Sequence, residues 1–136
     1  MPIDPGPHDL KTVWPILTPG GGAVLKKTGP TFFQELGDDF ESMASHQLIS
    51  TFDFSEPWPT WEMHPLADEF IYLLSGDTDL LLKAPGQEAV TVRVDRPGTF
   101  VMVPKGSWHT ARPHAPTSML FVTAGEGTRN EVEPPE

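Results

Sequence analysis

The sequence predicts an all-β fold, an antiparallel jelly-roll barrel with one short N-terminal helix. Three observations lead there. Sixteen prolines and twelve glycines in 136 residues demand many turns and leave room only for few, short helices. Roughly eight short β-prone runs recur at regular spacing between turn residues, the pattern of a jelly roll or small barrel. From Ser45 onward the hydrophobic period is two, as in strands whose successive side chains face opposite sides. The length suits one core and one domain.

In chain order, Met1 to Pro7 is rich in proline and glycine and reads as an extended arm. Leu10 to Leu17 is a candidate edge strand, because Pro15 would be tolerated only at an edge. Pro19-Gly20-Gly21-Gly22 is a turn, and Ala23 to Lys27 is a short extended segment able to pair with another subunit. Residues 1–30 are thus an N-terminal arm with candidate edge strands. Thr31 to Phe40 is the helical candidate: Thr31 can cap it, Gln34 sits where a capping box needs it, and Phe33, Leu36 and Phe40 share a face. Gly37 limits it to a turn or two, a lid or plug against the barrel end. Residues 31–124 carry the barrel. Its strands are expected from Ser45 to Ser55, Trp58 to His64, Glu69 to Leu74, Thr78 to Lys83, Ala89 to Val94, Thr99 to Val103, Trp108 to Ala111 and Thr117 to Ala124. Residues 125–136 form an acidic tail, expected to be mobile.

Composition narrows the function classes. A net charge of −10 argues against nucleic acid, whose phosphates need a basic face. No apolar run approaches the ~20 residues of a membrane span, and MPIDPGPHDL lacks the basic start and apolar core of a secretory signal. A cytoplasmic protein is the default expectation. With no cysteine, disulfides and thiolate ligands are excluded and any metal must be held by nitrogen and oxygen.

The chemistry concentrates in Trp58–Gly76, WPTWEMHPLADEFIYLLSG. Glu62 and His64 lie two apart, so on a strand both aim into one space. Glu69 opens an apolar run after a turn at Pro65 to Ala67 that can fold the second strand back beside the first. His109 supplies the further donor. Alternation favours Glu69 over Asp68 as the inward carboxylate and places Tyr72 on the opposite side. His46 and His114 are expected to bind nothing. Gly76, Gly98 and Gly106 read as turn residues that need permissive backbone angles.

These two segments resemble the paired motifs of the cupin superfamily. The first motif runs His-x-His, three or four residues, Glu, six residues, Gly; here it reads Glu62-Met63-His64, four residues, Glu69, six residues, Gly76. The second runs Gly, five residues, Pro-x-Gly, two residues, His, three residues, Asn; here it reads Gly98, five residues, Pro104-Lys105-Gly106, two residues, His109, three residues, Pro113. Glu62 therefore stands in place of the first histidine and Pro113 in place of the closing asparagine. The resemblance implies a cupin barrel with one divalent transition metal (Mn, Fe, Ni, Zn or Co) held by Glu62, His64, Glu69 and His109. It also implies a homodimer.

Two imidazoles and two carboxylates suit such an ion with positions left open, and without Glu62 the remaining set is two histidines and one carboxylate. Glu62 has three readings: a ligand, a base beside the metal, or a salt-bridge partner of Arg93 or Arg112. Glu62 and Glu69 are the candidate proton-moving residues. Candidate pocket residues are Trp61, Arg93, Phe100, Met102, Trp108 and Arg112; the two arginines could anchor an acidic group, and the aromatics, Trp58 among them, supply core with a few at the cavity mouth. A metal-dependent enzyme on a small organic molecule, of dioxygenase or isomerase type, is the leading expectation. A non-catalytic ligand or metal sensor and a metal-free structural barrel are the alternatives.

Overall fold

The computed structural model describes residues 2–124 and 126–136. Met1 of the expected arm and Gly125 at the start of the expected tail lie outside them. Eleven strands and one helix follow in order: β1 (Val13–Leu17), β2 (Ala23–Lys27), α1 (Phe32–Asp39), β3 (Gln47–Phe54), β4 (Trp61–Met63), β5 (Glu69–Ser75), β6 (Thr78–Lys83), β7 (Val90–Val94), β8 (Phe100–Val103), β9 (Trp108–Pro113), β10 (Thr117–Ala124) and β11 (Arg129–Glu131). They form two antiparallel sheets, β2-β1-β3-β10-β5-β8 and β11-β4-β9-β6-β7. This is the expected jelly roll with one short helix. No helix among the described residues is long and apolar enough to cross a membrane.

The core lies between the sheets and follows the period of two. In β5, Glu69, Ile71 and Leu73 are buried while Phe70 and Tyr72 lie on the outer face. Ile71, Leu73, Leu80, Ala111 and Met119 are fully buried in one cluster with Val94, Val103 and Phe121. Each large member contributes roughly 1.5–3 kcal/mol by leaving water. A second cluster joins Ile16 and Leu48 to Phe32 and Leu36 of α1, so the helix is fastened across one end of the sandwich.

Four local expectations are corrected. β1 is not the edge: β2 is, and β1 lies between it and β3. Pro15 is accommodated because β3 pairs β1 only at Ile16 and Leu17, so no ladder bond to β3 is asked of it. The Thr31 hydroxyl bonds the Glu35 carboxylate at 2.7 Å and forms no cap to the backbone; Phe32 and Leu36 are the buried pair, leaving Phe33 exposed. The turn after His64 does not fold β5 back onto β4, because the two strands belong to different sheets. Finally, Arg129–Glu131 of the acidic tail is a strand paired with β4, Asn130 opposite Glu62. Backbone pairing and the short reach from β10 outweigh its polar composition there.

Gly76 shows how tightly one corner is packed. It has φ +104°, and a Cβ there would meet the Pro116 carbonyl oxygen and stand 2.6 Å from Thr117 Cα. Gly86 also has positive φ (+73°) but faces open space. Gly76→Ala is therefore expected to cost roughly 2–4 kcal/mol in denaturant unfolding, against about 1 kcal/mol for Gly86→Ala. Equal losses at both positions would contradict the packing described.

Candidate metal centre

The centre is assembled from both sheets. β4 and β9 are paired with Glu62 opposite His109, which places the carboxylate and the imidazole on one inward face. His64 follows directly after β4. Glu69 begins β5 in the other sheet, paired with Val103. Two backbone bonds from the Pro104-Lys105-Gly106 turn close the corner: the Gly106 N–H donates to the His64 carbonyl at 2.9 Å, and the Lys105 N–H donates to Asp68 Oδ1 at 2.9 Å. Asp68 is thus a surface fastener, and Glu69 is the inward carboxylate.

His64, Glu69 and His109 are buried, His109 completely. Glu69 Oε2 is 3.1 Å from His64 Nε2, and Glu69 Oε1 is 3.0 Å from His109 Nε2. Glu62 Oε2 is 3.7 Å from His109 Nε2, on a side chain about one-third exposed. Donor atoms of Glu62, His64 and His109 all lie within 4.8 Å of one another. Arg93 and Arg112 make no ion pair with Glu62 among the described residues; Arg93 instead grips Asp77 at 3.1 and 2.7 Å.

The outer shell orients these donors. His64 Nδ1 hydrogen-bonds the Thr128 hydroxyl at 2.9 Å, leaving Nε2 to face inward. The Thr123 hydroxyl donates to Glu69 Oε2 at 2.6 Å. Such partners fix ring orientation in metal sites. Among the described residues, five buried side-chain polar atoms lack a hydrogen-bond partner, and four are His64 Nε2, Glu69 Oε1 and both ring nitrogens of His109. Buried polar atoms are normally satisfied, and lone pairs aimed at a common point would be satisfied by a cation. For an ion ~2.1 Å from its donors, neighbouring octahedral donors stand roughly 3 Å apart. The Glu69–histidine distances match that spacing, so the residues fit a divalent metal.

Burial, hydrogen bonding to the imidazoles and charge separate the two carboxylates. Burial opposes ionisation of Glu69, but His109 and His64 outweigh it and hold the carboxyl at about 2. Burial pushes Glu62 above its ordinary value, helped by the neighbouring Glu69 charge. Burial opposes protonation of His64, but Glu69 and then Glu62 outweigh it and raise the imidazole.

Beside the centre lies a cavity of about 710 Å³, reached past α1 and bordered by Glu62, His64 and Glu69. Its apolar wall includes Phe52, Trp58 and Phe121, and its polar rim includes Thr128 and Asn130. None of the six expected pocket residues lines it. Trp61 and Trp108 form a separate cluster with Met63 and Leu81, Phe100 and Met102 are exposed on the outside of β8, and Arg93 and Arg112 are exposed. The cause is strand parity. Glu62 and His109 face inward, so Trp61 and Trp108 must face outward, as Arg112 does four residues past Trp108 along β9. In β7 and β8 it is Val92, Val94, Val101 and Val103 that join the core. The same parity could have found Phe121 and Thr123, which alternate with outward residues of β10. Thr128 and Asn130 carried no such signal, lying in a segment expected to be mobile.

No family profile matches the chain, and no curated protein matches it. Among solved structures it is similar to two of oxalate oxidase, one of them in complex with the substrate analogue glycolate, at 19% and 16% identity. The matches cover 60% and 61% of this chain and 44% and 45% of those chains, each with TM-score 0.51. Peruvianin-I, a cysteine peptidase from Thevetia peruviana latex, is similar at 13% identity over 61% of this chain and 54% of its own, also with TM-score 0.51. The chain spans about half the length of these structures. Likeness at this level is one of fold, and one fold carries many chemistries.

The charge pattern predicts how the metal-free protein responds to pH. Glu69, lowered from 4.5 to about 2, stabilises the fold above pH 4.5, and this is lost as pH falls toward 2. His64, raised from 6.5, stabilises below pH 6.5 and loses that contribution as pH rises through its folded value. Glu62, raised from 4.5, loses stability as pH rises above 4.5 through its folded value. Thermal unfolding in chelator should therefore be most resistant at mildly acid pH, from about 4.5, and should weaken as pH rises past 6.5. A Tm that climbs steadily from pH 6.5 to 9 would contradict this arrangement.

Proposed function

We propose that this chain, which has the cupin fold, is a metal-dependent enzyme acting on a small organic molecule, of dioxygenase or isomerase type. One observation carries the reading: two buried imidazoles and two carboxylates converge with unsatisfied atoms, and three of the four, Glu62, His64 and Glu69, border a cavity of about 710 Å³. The cavity volume is that of a small-molecule site. The oxalate oxidase neighbours act on a small molecule as well, and that likeness supports the class without supplying the substrate.

Glu69, His64 and His109 would hold the ion. Thr123 and Thr128 keep Glu69 and His64 in register from behind. The bound ion would supply Lewis acidity and, for a redox-active metal, electron transfer to oxygen. Glu62 has a different position: it is the most exposed of the four and borders the cavity. It can complete the ligand set or hold a proton for a substrate atom beside the centre. The aromatic wall excludes water from that side.

Purified protein should retain or take up about one divalent metal per chain, detected by elemental analysis and by calorimetric titration with Mn, Fe, Ni, Zn or Co. His64→Ala should abolish uptake together with any oxygen consumption on candidate substrates. Glu62→Gln should keep the metal and lower turnover by roughly 10²–10⁴-fold. Metal-free protein that gains no stability from any of these ions would leave only a structural barrel, and stoichiometric metal with no turnover would favour a sensor.

A further inference from the structure

The charge and shape of the cavity say which ligands it can accept. Among the described residues its lining contains no lysine and no arginine, while three carboxylates border it, Glu62, Glu69 and Glu126. A divalent ion at the centre would be neutralised by Glu62 and Glu69 alone, and Glu126 would leave the cavity one charge negative. An incoming carboxylate would add negative charge to a partly enclosed space whose own carboxylates already balance the ion and which has no lysine or arginine in its lining, and that is costly. A neutral ligand meets no such opposition.

The opposite wall is aromatic and continuous. Phe52 meets Trp58 edge-on with ring centroids 6.2 Å apart, and Trp58 lies 5.9 Å from Phe121, with buried Phe54 backing both Phe52 and Trp58. Trp58 also stands edge-on to His109 at 6.0 Å, so the wall runs from the mouth to the imidazole. A planar ring can pack along it by offset or edge-to-face contact. A hydroxyl on such a ring would reach the polar side formed by Glu62 and His64.

We propose that the cavity binds neutral aromatic alcohols or phenols and rejects carboxylates of the same shape. The proposal rests on the cavity described for the enzymatic reading and narrows its substrate class. It departs from the small-acid chemistry named for the oxalate oxidase neighbours.

Calorimetric titration with 2-naphthol, 2-naphthoate and oxalate, on the metal-loaded and the metal-free protein at pH 7, tests it. 2-Naphthol should bind at least about tenfold more tightly than 2-naphthoate, a difference of roughly 1.4 kcal/mol or more, and oxalate more weakly still. Phe52→Ala, at the exposed mouth, and Trp58→Ala should each weaken 2-naphthol binding severalfold, and Glu126→Lys should narrow the gap between naphthol and naphthoate. Equal or tighter binding of naphthoate or oxalate would overturn the proposal, as would naphthol affinity unchanged in both aromatic variants or no naphthol binding at all. Naphthol binding to a protein that takes up no metal would sustain this inference while removing the metal-dependent one.

Discussion

A closed corner between two sheets is the constraint on which the centre depends. Glu62 and His109 share the smaller sheet, His64 lies just past one of its strands, and Glu69 opens a strand of the larger one. Nothing in the ladders alone brings His64 and Glu69 together. The Pro104–Gly106 turn does so, by donating its N–H groups to the His64 carbonyl and the Asp68 carboxylate at each end of the connecting segment. Gly106 adopts φ +82°, a conformation that suits glycine and directs its N–H to that carbonyl. Motif spacing that looks arbitrary along the chain is thus the length needed to cross this corner and return.

Once the corner is closed, electrostatics does the rest. Two carboxylates and two imidazoles in a mostly dry space would repel or stay unpaired without compensation. The histidines partly compensate Glu69, which explains why its carboxyl stays ionised while Glu62 is pushed the other way. Nε2 of His64 and Nε2 of His109 stand 3.1 and 3.0 Å from the Glu69 oxygens and are left without a hydrogen-bond partner. Hydroxyls from Thr123 and Thr128 hold two of the side chains from outside, so the donors are ordered before any ligand arrives, which lowers the cost of binding one.

Much of this was legible in the chain. Alternation identified most strands and the choice of Glu69 over Asp68, and the spacing of the two motifs selected four residues that the structure brings together. The pocket lining is not legible from side-chain chemistry, because bulky aromatics and arginines suit a pocket equally well on either face of a strand while neighbouring positions point to opposite faces. An inward Glu62 and His109 turn Trp61 and Trp108 away from the centre. Sheet membership was not legible, because a turn after His64 is compatible with a hairpin or with a crossing between sheets. The role of Thr128 was hidden for another reason. A short polar strand becomes ordered through a partner, here β4, and carries no hydrophobic period of its own.

The central claim is that Glu62, His64, Glu69 and His109 surround one ion. Anomalous diffraction from crystals grown with Mn²⁺ tests it most directly. The account predicts a single strong peak roughly 2.1–2.3 Å from Nε2 of both His64 and His109 and in contact with a Glu69 oxygen. A peak elsewhere on the protein, or none between the two imidazoles at saturating metal, would contradict it.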